Sequence, residues 1–130
     1  MPFTEIRSPH IAVSPAPYSQ ATLAQPKKLL HISGQVPVDS AGKTVAVGDI
    51  AGQTEQVIRN IQHLLAEAGA SFADVCKLTV FMTSRDHYPA VSEVRKRLFP
   101  KPYPATSAVI VAGLANPEWL IEIEAVAALD

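Results

Sequence analysis

Cysteine, aromatic residues and glycine are scarce in this 130-residue sequence: one cysteine, 6% aromatics and six scattered glycines. With Cys76 alone no intrachain disulfide can form, and cysteine usage gives no sign of an oxidising compartment. His10, His31, His63 and His87 are dispersed, with no His-x-His, His-Glu-x-x-His or Cys-x-x-Cys spacing, so no metal site is expected. Scattered glycines also exclude a glycine-rich phosphate loop. An excess of positive charge is absent: 11 basic against 12 acidic residues leave a formal charge of −1. The one basic cluster, Arg95-Lys96-Arg97, falls at the end of an expected helix, where cations suit the helix dipole. Nucleic acid is therefore not an expected partner. No apolar run approaches the ~20 residues of a membrane span. Met1-Pro2-Phe3-Thr4-Glu5 lacks the charged-then-apolar layout of a signal peptide. The expectation is a soluble, cytoplasmic protein.

What is present is enough to build a core. The apolar share is 48%, and a chain of this size buries roughly 65–70% of its unfolded surface. No linker or repeat interrupts residues 1–130, which read as a single domain. Thr4–Arg7 could form a short strand, and Pro15 and Pro17 hold the next stretch out of helix. Leu29–Val36 reads as a mostly buried strand, followed by turn chemistry at Asp39–Lys43. Ile50, Val57, Ile58, Ile61, Leu64, Leu65 and Ala68 form an apolar stripe at helical spacing, with Asp49 as N-cap and Gly69 as stop. His63 lies off that stripe.

Val75–Met82 alternates, with Cys76, Leu78, Val80 and Met82 on one face and Val75, Lys77, Thr79 and Phe81 on the other. A second helix spans His87–Phe99, with Tyr88, Val91, Val94, Arg95 and Leu98 in its stripe, Pro89 in its first turn and Pro100 beyond it. Strands near Thr106–Val111 and Trp119–Ala127 close the chain. This order predicts an α+β fold: a mixed, mostly antiparallel sheet with both helices on one face. Solvent or a partner subunit must meet the other face.

Two carboxylates stand out. Glu122 and Glu124 are two apart in an apolar strand, so they share a face, roughly 7 Å apart along the chain. On pattern alone they mark the solvated side of an antiparallel strand. Leu120 and Val126 share that face, however, and a carboxylate beside apolar neighbours is suited to proton transfer. Cys76, on an apolar face, reads as a small hydrophobe rather than a nucleophile.

Pro17-Tyr18-Ser19-Gln20, His31-Ile32-Ser33-Gly34-Gln35-Val36-Pro37, Lys77-Leu78-Thr79-Val80-Phe81-Met82, Pro104-Ala105-Thr106-Ser107-Ala108-Val109 and Ile121-Glu122-Ile123-Glu124-Ala125-Val126 resemble, in order and spacing, the Rid (YjgF) family of enamine/imine deaminases. The resemblance runs from about residue 14 to 127. It implies a chorismate-mutase-like fold, a homotrimer with small-molecule clefts between subunits, and hydrolysis of reactive imines or enamines without cofactor or metal. It further implies that Tyr18 lines the cleft, that Ser33 and Gly34 offer backbone donors, and that Glu122 handles water or its protons. Ala108 stands where the family uses backbone, and Ser92 where a second-helix asparagine is frequent.

Thr106 stands where the family normally has an arginine that grips a substrate carboxylate. Losing one partner of a buried charged pair costs about 2–5 kcal/mol, or roughly 30- to 4000-fold in affinity. Arg85, Arg97 and Lys101 are the cations that could compensate. Three functions remain open. The first is a deaminase acting on ligands that need no such grip, such as a semialdehyde-type or aminomuconate-like enamine. In that reading Glu122 is the acid/base, Gly34 and Thr106 are donors and Tyr18 is a wall. The others are a non-catalytic small-molecule binder or regulator, and the ribonuclease or translation-inhibitor activity attached to parts of the family, against which the balanced charge counts.

Overall fold

The computed structural model describes residues 2–130. In chain order the elements are β1 (Phe3–Ile6), β2 (Ala21–Ala24), β3 (Lys28–Gln35), α1 (Ile50–Glu67), β4 (Val75–Met82), α2 (Tyr88–Leu98), β5 (Ala105–Ile110) and β6 (Ile121–Leu129). Short 3-10 turns at Phe72–Asp74 and Arg85–His87 precede β4 and α2. The main sheet has the order β3-β6-β4-β5. Central β6 is antiparallel to both neighbours, and β5 is parallel to β4. The fold is α+β with a mixed, mostly antiparallel sheet, as expected.

α1 starts where the sequence asks it to: the Asp49 side chain accepts from the Gly52 N–H at 3.1 Å. It stops before Gly69, whose φ of +72° is a left-handed conformation that glycine adopts without a Cβ penalty. Val57, Ile58, Ile61 and Leu65 of α1 join Val91 and Val94 of α2 over Leu78, Val80, Met82, Ile121, Ile123, Ala125 and Ala127 of the sheet. Leu64 and Ala68 are exposed instead of buried, because the stripe follows Val57, Ile61 and Leu65 and turns Leu64 to the side.

Two further expectations need correction. Phe3–Ile6 does form a strand, but Ala21–Ala24 pairs with it as a separate two-stranded sheet. Phe3 then packs with Cys76 and Ala128, with Ala24 and Val126 alongside, so part of the helix-free face is covered by the chain itself. The face assignment at the start of β4 is also reversed. The β4–β6 register shifts between Val75 and Lys77, so Val75 joins the helix-side core and Cys76 turns the other way. A bulge inserts one residue and flips everything before it.

Candidate functional site

Glu122 lies in β6 directly opposite Phe81 of β4, on the face away from the helices. On its other side β3 bulges: Ile32 pairs with Ala125 but Gln35 pairs with Ile123, leaving Ser33 and Gly34 to face one residue of β6. The extra residue carries the Gly34 backbone against the Glu122 side chain. A Cβ built on Gly34 would stand 2.0 Å from Glu122 Oε2 and 2.8 Å from its carboxyl carbon. Position 34 therefore excludes any side chain while Glu122 holds this position. Ser33 is exposed, and its carbonyl accepts from Gln35 Nε2 at 3.0 Å. It lines a groove of about 490 Å³ between β3 and the end of α1, where Leu30, Leu64 and Ala68 supply the apolar wall.

Thr106 is elsewhere. It pairs with Leu78, and Leu78 pairs with Ala125, both in the core under the helices. The Thr106 side chain therefore projects to the helix side of the sheet and Glu122 to the opposite side, with β4 between their strands. Ala108, paired with Val80, shares the Thr106 face. The Thr106 hydroxyl donates to the Pro104 carbonyl at 3.1 Å, so its one proton is already committed. That corrects the expectation of a Thr106 donor: in this conformation the hydroxyl has only lone pairs to offer.

Tyr18 belongs with Thr106. Ser19 bridges to Ala105, its N–H donates to the Pro104 carbonyl, and its hydroxyl donates to the Tyr103 carbonyl. These bonds hold the Tyr18 loop against the start of β5. Half-buried Tyr18 lines a pocket of about 290 Å³ with Glu5, Arg7, Gln20, Lys101 and Tyr103. Arg7 is 2.9 Å from Glu5. Lys101 has no carboxylate within ion-pair distance among the described residues, and its Nζ lies 6.0 Å from the Tyr103 ring centroid. Of the other two cations, Arg97 lies 3.5 Å from Glu55, and exposed Arg85 sits in the turn before α2. Glu122 lines neither cavity.

Ser92 occupies a third place, on α2, where its Oγ is buried without a hydrogen-bond partner. One turn on, Arg95 is only 2% exposed, with Nε and Nη1 also unpartnered. Burial lowers its guanidinium pKa, opposed by Tyr88. Arg95 thus stands in the helix's last turn, as expected of the basic cluster, and its helical spacing with Val91 and Val94 accounts for its burial. Burial raises the Cys76 thiol, and a backbone hydrogen bond only partly offsets that, as suits a packing residue. No cluster of three His, Cys, Asp or Glu that could hold a metal occurs among the described residues, and no helix there is long and apolar enough to cross a membrane.

The predicted site thus falls into two halves of the chain, Gly34 with Glu122 and Tyr18 with Thr106 and Ala108. Sequence reading missed the buried carboxamide Gln53 and the amide of Asn60, which bond the backbone on either side of the first half. Their signal was two polar residues seven apart on α1, beside its apolar stripe.

Comparison with known proteins places the chain. The profile of the family described as Endoribonuclease L-PSP matches residues 10–129. The 3-aminoacrylate deaminase RutC of Acinetobacter baylyi is 41% identical over 112 residues, 86% of each chain. The crystal structure of YyfB, a protein of unknown function in the Rid family from Yersinia pestis, superposes with a TM-score of 0.89 at 34% identity, covering 99% of this chain and 100% of that one. RidA of the Antarctic bacterium Psychrobacter sp. gives 0.74 at 30% identity, covering 97% and 99%. This chain, with its two helices on a β3-β6-β4-β5 sheet, belongs to the Rid, or endoribonuclease L-PSP, family.

Proposed function

We propose that the protein is a hydrolytic deaminase of reactive imines or enamines, working as a homotrimer without cofactor or metal. Its substrate range is altered because Thr106 stands where relatives carry a carboxylate-gripping arginine. The observation that carries the reading is the apposition of Glu122 to Gly34, which sets a carboxylate beside a stretch of backbone that has no side chain in the way. In the reaction Glu122 takes a proton from water as the water oxygen bonds to the imine carbon. The C=N electron pair moves to nitrogen, which gains a proton. The carbinolamine then collapses to a carbonyl, breaking the C–N bond and releasing ammonia. Backbone donors at Ser33 and Gly34 orient the substrate, and Tyr18 walls it.

The separation of the two halves supports the assembly. Since Thr106 and Glu122 project from opposite faces of one sheet, a cleft holding both needs the Tyr18–Thr106–Ala108 edge of one subunit against the Gly34–Glu122 surface of the next. β5 is an edge strand with Val109 and Ile110 exposed, and so is open to such a neighbour. Ser92, whose Oγ is buried on α2 apart from both halves, is left out of the cleft in this reading. Lys101 has the best support as the substitute cation, because it has no carboxylate partner among the described residues and shares the Tyr18 pocket, whereas Arg97 is beside Glu55. A flexible ammonium does not reproduce a bidentate guanidinium, so 2-imino acids are poor substrates in this reading.

One observation favours the alternative of a non-catalytic binder: the committed Thr106 hydroxyl proton leaves that edge without a side-chain donor at position 106. Initial rates separate the two, using 3-aminoacrylate and imines generated in situ by an amino-acid oxidase. A rate above background on at least one compound is expected, and background rates throughout favour the binder. Light scattering is expected to report a trimer, and a monomer across micromolar concentrations would dismantle the shared cleft.

A further inference from the structure

We infer that α1 is a positioning element for the Gly34–Glu122 contact, acting through Gln53 and Asn60. The inference rests on the proposed role of Glu122. Gln53 is fully buried; its Nε2 donates to the Glu118 carbonyl at 2.9 Å and its Oε1 accepts from the Leu120 N–H at 2.9 Å. Leu120 is two residues before Glu122, and its carbonyl accepts from the Thr83 N–H at 3.1 Å. The entry to β6 is thus held from α1 and from the end of β4. Asn60 does the corresponding work at the exit of β3. Its Nδ2 donates to the Val36 carbonyl at 3.2 Å and to the Val38 carbonyl at 3.0 Å, while its Oδ1 accepts from Gln56 Nε2 at 2.8 Å. Val36 is two residues after Gly34.

Both segments need such partners, because backbone that has left the ladder still carries donors and acceptors that are costly to leave unpaired. A carboxamide has one donor side and one acceptor side, so it can replace a missing neighbouring strand. Seven residues separate Gln53 from Asn60, two turns of helix, which puts them on one face about 10 Å apart. A single rigid helix therefore fixes the strand carrying Glu122 and the strand carrying Gly34 relative to each other. The approach is close: a Cβ at Gly34 would overlap the carboxylate as it stands, so any side chain there must turn Glu122 away. Neither amide touches the Glu122 carboxylate in the structure; both act on it through the backbone.

The test uses Gln53→Met, which removes both polar atoms from a fully buried site, and Asn60→Ala, the milder change because Asn60 is only half-buried. Rates are measured on whichever of 3-aminoacrylate or the oxidase-generated imines the native protein turns over fastest, per folded molecule. A fall of about 10- to 100-fold in kcat is expected, with KM within about threefold, as for a misplaced catalytic group. Gly34→Ala disturbs the same contact directly, so the double variant Gln53→Met/Gly34→Ala should be no slower than its slower parent. Unchanged kcat, or losses that multiply, would overturn the inference. If Gln53→Met does not fold, Asn60→Ala, alone and combined with Gly34→Ala, carries the same comparison. Crystal structures of the variants give a readout independent of turnover: a Glu122 carboxylate displaced from Gly34 by about 1 Å supports the inference, and an unmoved one overturns it. Glu122→Gln run in parallel separates the two ideas, since full activity there sinks the role of Glu122 and leaves the α1 effect to be judged on the structures.

Discussion

β6 and β5 carry the two halves of the candidate site under opposite conditions. β6 is central, paired on both sides, and buries Ile121, Ile123, Ala125 and Ala127. β5 is an edge strand, paired only with β4 along its length, and it leaves Ser107, Ala108, Val109 and Ile110 exposed. A residue on β6 can be placed to a fraction of an ångström, because shifting it disturbs the core. A residue on β5 can change without repacking anything. The half assigned to proton transfer is thus built into the scaffold, and the half assigned to recognition is free to vary. A chain can therefore keep Glu122 and Gly34 while carrying Thr106.

The largest expected effect breaks the β6 half. Glu122→Gln should lower turnover of the best imine substrate about 10²- to 10³-fold while leaving circular dichroism and subunit number unchanged. Native turnover in this variant would erase the functional distinction between the strands. Next, Thr106→Arg should raise the initial rate on 2-iminopropionate about tenfold, well short of the 2–5 kcal/mol that a buried charge pair can be worth, because the neighbouring shell is not built around a guanidinium. No gain would mean that the edge is not where the carboxylate is read.

Arg95→Met examines the helix layer over this sheet. It removes a buried cation with two unpartnered nitrogens and should stabilise the fold by about 1–2 kcal/mol, read as a higher thermal midpoint. A lower midpoint would reveal a counter-ion supplied by another subunit. The smallest effect is at Lys101: Lys101→Ala should raise KM about two- to fivefold for carboxylate-bearing substrates at low salt, and less at high salt. A salt-independent or absent change would remove Lys101 from recognition.

Much of the fold was legible because local chemistry decides it. Asp49 caps α1, Gly69 ends it, Pro89 opens α2, and the period-two pattern locates Val75–Met82. What escaped depends on distant pairing. The bulges at Cys76 and at Ser33–Gly34 exist only relative to β6, and Ala21–Ala24 is a strand because β1 lies beside it. Motif order named Tyr18, Gly34, Thr106 and Glu122, but not that Thr106 and Glu122 point away from each other. That follows from register across three strands, which spacing along one chain does not contain. Arg95 stood in the sequence both in the α2 stripe and in a basic cluster; a charged side chain at a stripe position has two readings, and packing decides for burial here.

The double pairing of β6 has a consequence for how function is lost. Amides bonded on both flanks of a central strand exchange with solvent through the rarest openings, those that approach global unfolding, whereas an edge such as β5 frays at far lower cost. Glu122 and its Gly34 neighbour should therefore stay assembled until the whole domain melts. Loss of the proton-transfer step on heating or in denaturant should then coincide with the cooperative transition, while any preference read at the β5 edge blurs beforehand.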